Sequence, residues 1–191
     1  MAHEIETMAW AGDVPWHGLG IEVTSDLTPV QMMQAAELDW TVSKRPAYTL
    51  DEPEWHEKVG VMTADGHHFI VRDSDNKILS HCGDDYVPIQ NEQIFDFFKK
   101  FTDAGHMTME TAGSLRGGSK IWGLAKIAAD FELAGGDEVK GYLLINQPHV
   151  AGEAMVIKFT PIRVVCNNTL TVALNDGGAA FRMPHIREFD M

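Results

Sequence analysis

The sequence has little cysteine, little positive charge and no long apolar run, and each shortage removes a class of protein. Two cysteines, Cys82 and Cys166, in 191 residues cannot frame a disulfide scaffold, which points to a reducing compartment. No window approaches the roughly eighteen uninterrupted apolar residues of a membrane span. The opening Met1-Ala2-His3-Glu4-Ile5-Glu6 is acidic and lacks the basic-then-apolar pattern of a secretory leader, so a cytoplasmic protein is expected. Only 15 Lys and Arg stand against 28 Asp and Glu. The resulting net charge of −13 argues against nonspecific adhesion of the whole chain to nucleic acid or anionic membranes. Internal repeats, low-complexity tracts and Ser/Gly linkers are also absent, so one α+β domain over residues 1–191 is expected.

Familiar catalytic patterns are missing as well. There is neither a Walker loop nor a GxGxxG after a strand, and neither H-E-x-x-H nor paired CxxC. The nearest metal candidates are His67, His68, His81 and Cys82. Adjacent strand residues face opposite sides, so each pair offers one ligand, and no metal or other cofactor is expected. Cys166, with His149 as its candidate base, falls on an apolar helical stripe, where a free cysteine serves as a small hydrophobe. Ser114 and Ser119 lack a nucleophile elbow. A non-enzymatic protein is expected.

What is present suits a globular domain, with 45% hydrophobic and 23% charged residues. Its charge is uneven. Residues 1–106 carry 7 basic and 19 acidic side chains, whereas residues 107–191 carry 8 and 9, so an anionic partner would meet the second half. The acidic positions Asp51-Glu52, Glu54, Glu57 and Asp73-Ser74-Asp75 read as solvated loops.

Residues 1–27 read as an irregular segment rich in Trp and Gly, packing Trp10, Trp16 and Leu19 onto the body. Thr28-Pro29 reads as N-cap and first residue of a short helix through Met32, Met33, Ala36 and Glu37. Pro46 and Pro53 bound a loop-rich connection. From Lys58 the period becomes two, giving strands at Val59–Met62, His68–Arg72 and Lys77–Ser80, with turns at Asp65-Gly66 and Asp73–Asn76. Asn91 reads as the cap of a helix whose Ile94, Phe95, Phe98 and Phe101 face the core and which Gly105 stops.

Two hairpins follow. Met107–Leu115 and Ser119–Ile127 flank the tight Arg116-Gly117-Gly118 turn, and Tyr142–Asn146 precedes Ala154–Phe159. Thr160-Pro161 repeats the N-cap signal, and Cys166, Leu170 and Leu174 recur at i, i+4, i+8, predicting a helix from Thr160 to about Asn175. The expected fold is α+β, a largely antiparallel sheet built from hairpins with helices packed on one face.

A binding surface then emerges in the near-neutral half. On the expected last helix Arg163 and Asn167 share an outward face, near a helix N-terminus that favours anions. Lys158 precedes it on the last strand. Lys120, Trp122, Leu124 and Lys126 share one strand face beyond Arg116, a pattern able to follow phosphates and stack a base. The same pattern also suits an ordinary amphipathic hairpin with a half-buried tryptophan.

Several segments together resemble a known family: His3–Glu6, Pro15-Trp-His-Gly-Leu-Gly20, Tyr86-Val-Pro-Ile-Gln-Asn91, Glu110–Leu115 and Phe159-Thr-Pro-Ile-Arg-Val-Val-Cys-Asn-Asn-Thr-Leu170. The family is the phage/plasmid-like one catalogued as domain of unknown function 932. Its members usually continue into a further helical segment, so a chain stopping at Met191 is a short member, a truncation or one with a further tail. The resemblance implies a setting of phages, plasmids and laterally moved DNA. The sheet-then-helix order is also similar to that of single-strand annealing proteins, typified by the ring-forming eukaryotic recombination mediator. These readings lead to a cytoplasmic, oligomeric protein that binds single-stranded DNA and promotes annealing. Arg116, Lys120, Lys126, Lys158 and Arg163 would meet phosphates, with Asn167 hydrogen-bonding and Trp122 stacking. The alternative is an acidic host-takeover or anti-defence factor that binds a basic host protein and no nucleic acid.

Overall fold

The computed structural model describes residues 3–51, 60–128, 131–132, 138–186 and 189. Its architecture is α+β with mostly antiparallel sheets. In chain order the elements are β1 (Ile5–Trp10), β2 (Ile21–Glu22), α1 (Pro29–Ala35), β3 (Val42–Asp51), β4 (Gly60–Arg72), β5 (Lys77–Cys82) and α2 (Asn91–Thr102). There follow β6 (Met107–Leu115), a 3₁₀ turn (Arg116–Gly118), β7 (Lys120–Ile127), β8 (Phe131–Glu132), β9 (Glu138–Val139), β10 (Tyr142–Pro148), β11 (Met155–Thr160), α3 (Asn167–Asn175) and β12 (Ala180–Met183).

A seven-stranded sheet in the order β12-β11-β10-β7-β6-β1-β2 forms the body. Its pairings are antiparallel except β1 with β2. The hairpin strands alternate sides, so one face gathers Ala9, Met109, Ala112, Ala125, Leu143 and Ile145 beneath Met32, Met33, Phe95 and Phe98 of α1 and α2. The other face gathers Met8, Trp10, Trp122, Leu124 and Leu144 beneath Val164, Val165, Leu170 and Ala173. Helices therefore cover both faces, which corrects the expectation of helices on one face only. A strand buried on both sides keeps apolar residues at consecutive positions, as in Tyr142–Ile145.

Local chemistry explains the well-predicted elements. Thr28 caps α1 reciprocally with Gln31: the Gln31 N–H donates to Thr28 Oγ1 (3.3 Å) and the Thr28 N–H to Gln31 Oε1 (2.9 Å). At the 3₁₀ turn Arg116, Gly117 and Gly118 all take positive φ (51°, 65° and 88°), a run that two glycines make accessible.

Four local expectations are corrected. Residues 1–27 are not wholly irregular, because β1 lies inside the sheet; of the three side chains expected to pack on the body, Trp10 is buried but Trp16 and Leu19 are exposed. Pro46 lies within β3, an edge strand, where a missing N–H is tolerated. Asp65-Gly66 is no turn but an interior stretch of β4, opposite the register shift between Pro46 and Tyr48. Asn91 is not a cap but the first residue of α2; Gln90 precedes it, with its N–H donated to Gln93 Oε1 (2.8 Å). Pro53 and the predicted strand start at Lys58-Val59 lie outside the described residues, as do Glu52, Glu54 and Glu57.

The smaller sheet, β3-β4-β5, joins the body through Arg72. Its guanidinium donates to both oxygens of Glu6 (3.0 Å each) and both of Asp75 (3.0 and 2.7 Å), and it lies 5.2 Å from the Trp40 ring centroid. Hydrogen bonding to Asp75 and Glu6 raises the Arg72 pKa still further, so this cation is permanent.

Candidate functional site

The seven residues read as a nucleic-acid surface are not gathered into one. Lys120, Trp122 and Leu124 share the sheet face covered by residues 164–173, so the face expected to be open is core. Trp122 is fully buried and its Nε1–H donates to Thr111 Oγ1 (3.1 Å), leaving no access to its ring. Lys120 pairs with Glu153 (2.6 Å), and the buried Lys158 pairs with Asp176. That ammonium is the main influence holding the Asp176 carboxyl below the usual range. Arg116 pairs with Glu4 (2.7 Å) yet stays 48% exposed. Lys126 is half-buried and forms no ion pair among the described residues.

The helix expected from Thr160 begins at Asn167, with Cys166 as N-cap. Thr160 ends β11 and donates its hydroxyl to Asp176 (2.9 Å), while Val164 and Val165 insert into the core. Arg163 and Asn167 therefore do not share a helical face. Arg163, 18% exposed, pairs with Glu110 (2.5 Å) and donates to the carbonyls of Asp13 (2.6 Å) and Ala11 (2.7 Å), tying down the N-terminal loop. Asn167 is half-buried in the first turn of α3, its N–H donated to His3 O (3.3 Å).

Two other constellations bear on chemistry. One ligand-type side chain from each predicted pair does come together: His67 Nδ1 lies 2.9 Å from His81 Nε2, while His68 turns to Asp84 and Cys82 is buried. Among the described residues no three ligand-type side chains gather into a metal site. Cys166 is buried, with Sγ 3.6 Å from Thr169 Oγ1. His149 instead bonds Asn91, and the Asn91 amide orientation sets its tautomer. Asn91 Nδ2 donates to Leu38 O (2.9 Å) and Trp40 O (3.2 Å), so Oδ1 accepts from His149 Nε2–H (2.9 Å). His149 Nδ1 is buried without a partner, and desolvation, with His185 adding, lowers its pKa to about 3.

The most exposed combination of features lies where the sequence suggested packing. The loop from Asp13 to Glu22 presents Val14 (67% exposed), Trp16 (69%), Leu19 (44%) and Ile21 (54%) within eight positions. It is held from beneath. His17 Nδ1 accepts from the Leu19 N–H (3.0 Å), so its Nε2–H donates to Val165 O (2.9 Å). Trp16 stands edge-on to His3, with ring centroids 4.7 Å apart. Beside the loop a cleft of about 320 Å³ opens between β1, Leu19–Ile21 and the end of α1 at Ala35 and Glu37. The spacing of Trp16 among glycines and a proline was legible in the sequence, but nothing local indicated that its ring faces outward.

The carboxylates around this surface differ from the cations. At least nine of the described Lys and Arg side chains form ion pairs, whereas Glu22 at the end of the loop and Glu37 in the cleft form none among the described residues. The surface therefore offers unneutralised negative charge around an apolar centre.

The fold defines a mixed α+β domain with mostly antiparallel sheets, and no helix among the described residues is long and apolar enough to cross a membrane. Residues 78–191 match the family model described as Domain of unknown function (DUF932), and the chain belongs to that family. The match covers α2 through β12, and the exposed Trp16 loop lies before it. No curated protein and no solved structure matches the chain.

Proposed function

We propose that this chain is a non-enzymatic interaction module that binds a basic protein partner through the Trp16 loop. The observation that carries the reading is the exposed Val14, Trp16, Leu19 and Ile21 set beside Glu22 and Glu37, two carboxylates without ion pairs among the described residues. A solvent-facing tryptophan with an apolar surround is the composition of a binding hot spot, and a charged rim selects the partner. In the phage or plasmid setting that the family resemblance implies, the partner is a host cytoplasmic protein. The single-stranded DNA and annealing reading is the competitor. It retains Lys126 and the half-exposed Arg116, itself paired with Glu4, as cations for phosphates, while Lys120, Lys158 and Arg163 are engaged with carboxylates and less exposed.

The test is selection from a random peptide library with fluorescence anisotropy in parallel on an unstructured oligonucleotide. Enrichment of Lys/Arg-rich peptides carrying an apolar residue, with binding lost in Trp16→Ala, supports the interaction reading. Salt-sensitive oligonucleotide binding that survives Trp16→Ala, with no peptide enriched, overturns it in favour of DNA.

A further inference from the structure

β2 is two residues long and pairs only with Ala9 and Trp10, so among the described residues the Ile5–Met8 part of β1 has no strand neighbour on that side. Such an edge presents unpaired backbone groups and templates an added strand. The chain before β2 leaves this edge at Gly20. There φ is +91° and an added Cβ would lie 2.9 Å from Met8 O, so glycine permits both the turn and the close approach. The vacated edge forms one wall of the 320 Å³ cleft, with Leu19 and Ile21 nearby and Ala35 and Glu37 opposite.

Glu37 stands at a position where local physics favours another residue. It follows α1 in a Schellman arrangement, with Leu38 N–H donated to Met33 O (2.9 Å) and Glu37 N–H to Gln34 O (3.0 Å). Its φ is +55°, a conformation glycine takes without strain. A glutamate held there, lining the cleft without an ion pair among the described residues, fits a role at the surface better than a role in the helix cap. Glu6, the other carboxylate of the cleft, is already bonded to Arg72 and Ser114.

We infer that an extended, lysine- or arginine-bearing segment of the partner adds as a strand to the Ile5–Met8 edge, with Glu37 taking its cation. The inference rests on the basic-partner reading and specifies its mode: backbone hydrogen bonds give affinity and Glu37 gives selectivity. The register shift between Ile5 and Thr7 and the approach of Gly20 to Met8 O confine the added strand to a short ladder.

The experiment uses a labelled eight-residue peptide alternating lysine and valine, and the same peptide N-methylated at alternate residues, which keeps charge but cannot complete a ladder. The expected result is binding of the first peptide only, with slowed amide exchange confined to Ile5–Met8. Glu37→Gly should keep the fold, raise its melting temperature and weaken the peptide about fivefold. Glu37→Gln, which retains the backbone preference of a side chain, should weaken it similarly. Equal binding of both peptides, or unchanged affinity in both variants, overturns strand addition while leaving the basic-partner reading intact. If neither peptide binds and the library yields no Trp16-dependent ligand, both readings fall.

Discussion

Acid should destabilise this protein well before its carboxylates titrate, because of His149. Its ring is fully buried, its Nε2–H is committed to Asn91 Oδ1, and its Nδ1 meets no acceptor among the described residues. A second proton would therefore place an unpartnered N–H and a charge in the core. The native pKa falls to about 3, against 6.5 for the free side chain. Below pH 6.5 the unfolded chain takes up a proton that the native state refuses, so stability is lost as pH falls from about 6.5 toward 3. From pH 7 to pH 5 the loss is about 2 kcal/mol, at roughly 1.4 kcal/mol per pH unit below the unfolded pKa. His185, also depressed by desolvation, acts in the same direction. Glu6, Asp73, Asp75 and Asp176 have lowered pKa values, so their stabilisation fades only as pH drops through the ordinary carboxylate range and below. Urea unfolding at pH 7, 6 and 5, followed by tryptophan fluorescence, isolates the histidine window. His149→Gln, whose amide can still donate to Asn91, should flatten that slope by close to one proton. A wild-type loss below about 0.5 kcal/mol between pH 7 and 5, or an unchanged slope in the variant, would refute the assignment.

Two further outcomes follow from the same geometry. Arg163→Ala should cost about 2–3 kcal/mol, read as a lower melting temperature, because it strands Glu110 and releases the Ala11 and Asp13 carbonyls. A variant that loses oligonucleotide binding with no change in melting temperature would instead restore Arg163 to a DNA surface. Cys82 and Cys166 are both buried, so a thiol reagent should label neither in the native protein and both in urea; rapid native labelling of Cys166 would reopen a nucleophilic role.

Local signals carried the elements that depend on neighbours in sequence. Thr28 and Gln31 announce α1, the phenylalanine spacing announces α2, and Arg116-Gly117-Gly118 announces its turn, because each device closes within a few residues. The faces were not legible in the same way. Period two places Lys120, Trp122 and Lys126 on one side of β7, but whether that side is wet depends on Val164–Ala173, some forty residues later. Lys158 looks like an exposed cation until Asp176 arrives from beyond α3. Thr160-Pro161 imitates a helix start, yet buried Val164 and Val165 draw the next residues into the core and delay α3 to Asn167. The candidate surface was hidden for the converse reason: Trp16 and Ile21 are residues that usually bury, and here both stay more than half exposed.

The place of β1 in the sheet has a consequence for biosynthesis. Thr7 bonds Ser114, 107 positions later, so β1 leaves the ribosome long before its antiparallel neighbour β6 has been made. Until then Met8 and Trp10 have no core to enter, and the nascent chain must keep an apolar strand solvated or chaperoned. Closure of the main sheet is then a late, long-range step, slow compared with formation of the β6–β7 hairpin that it awaits.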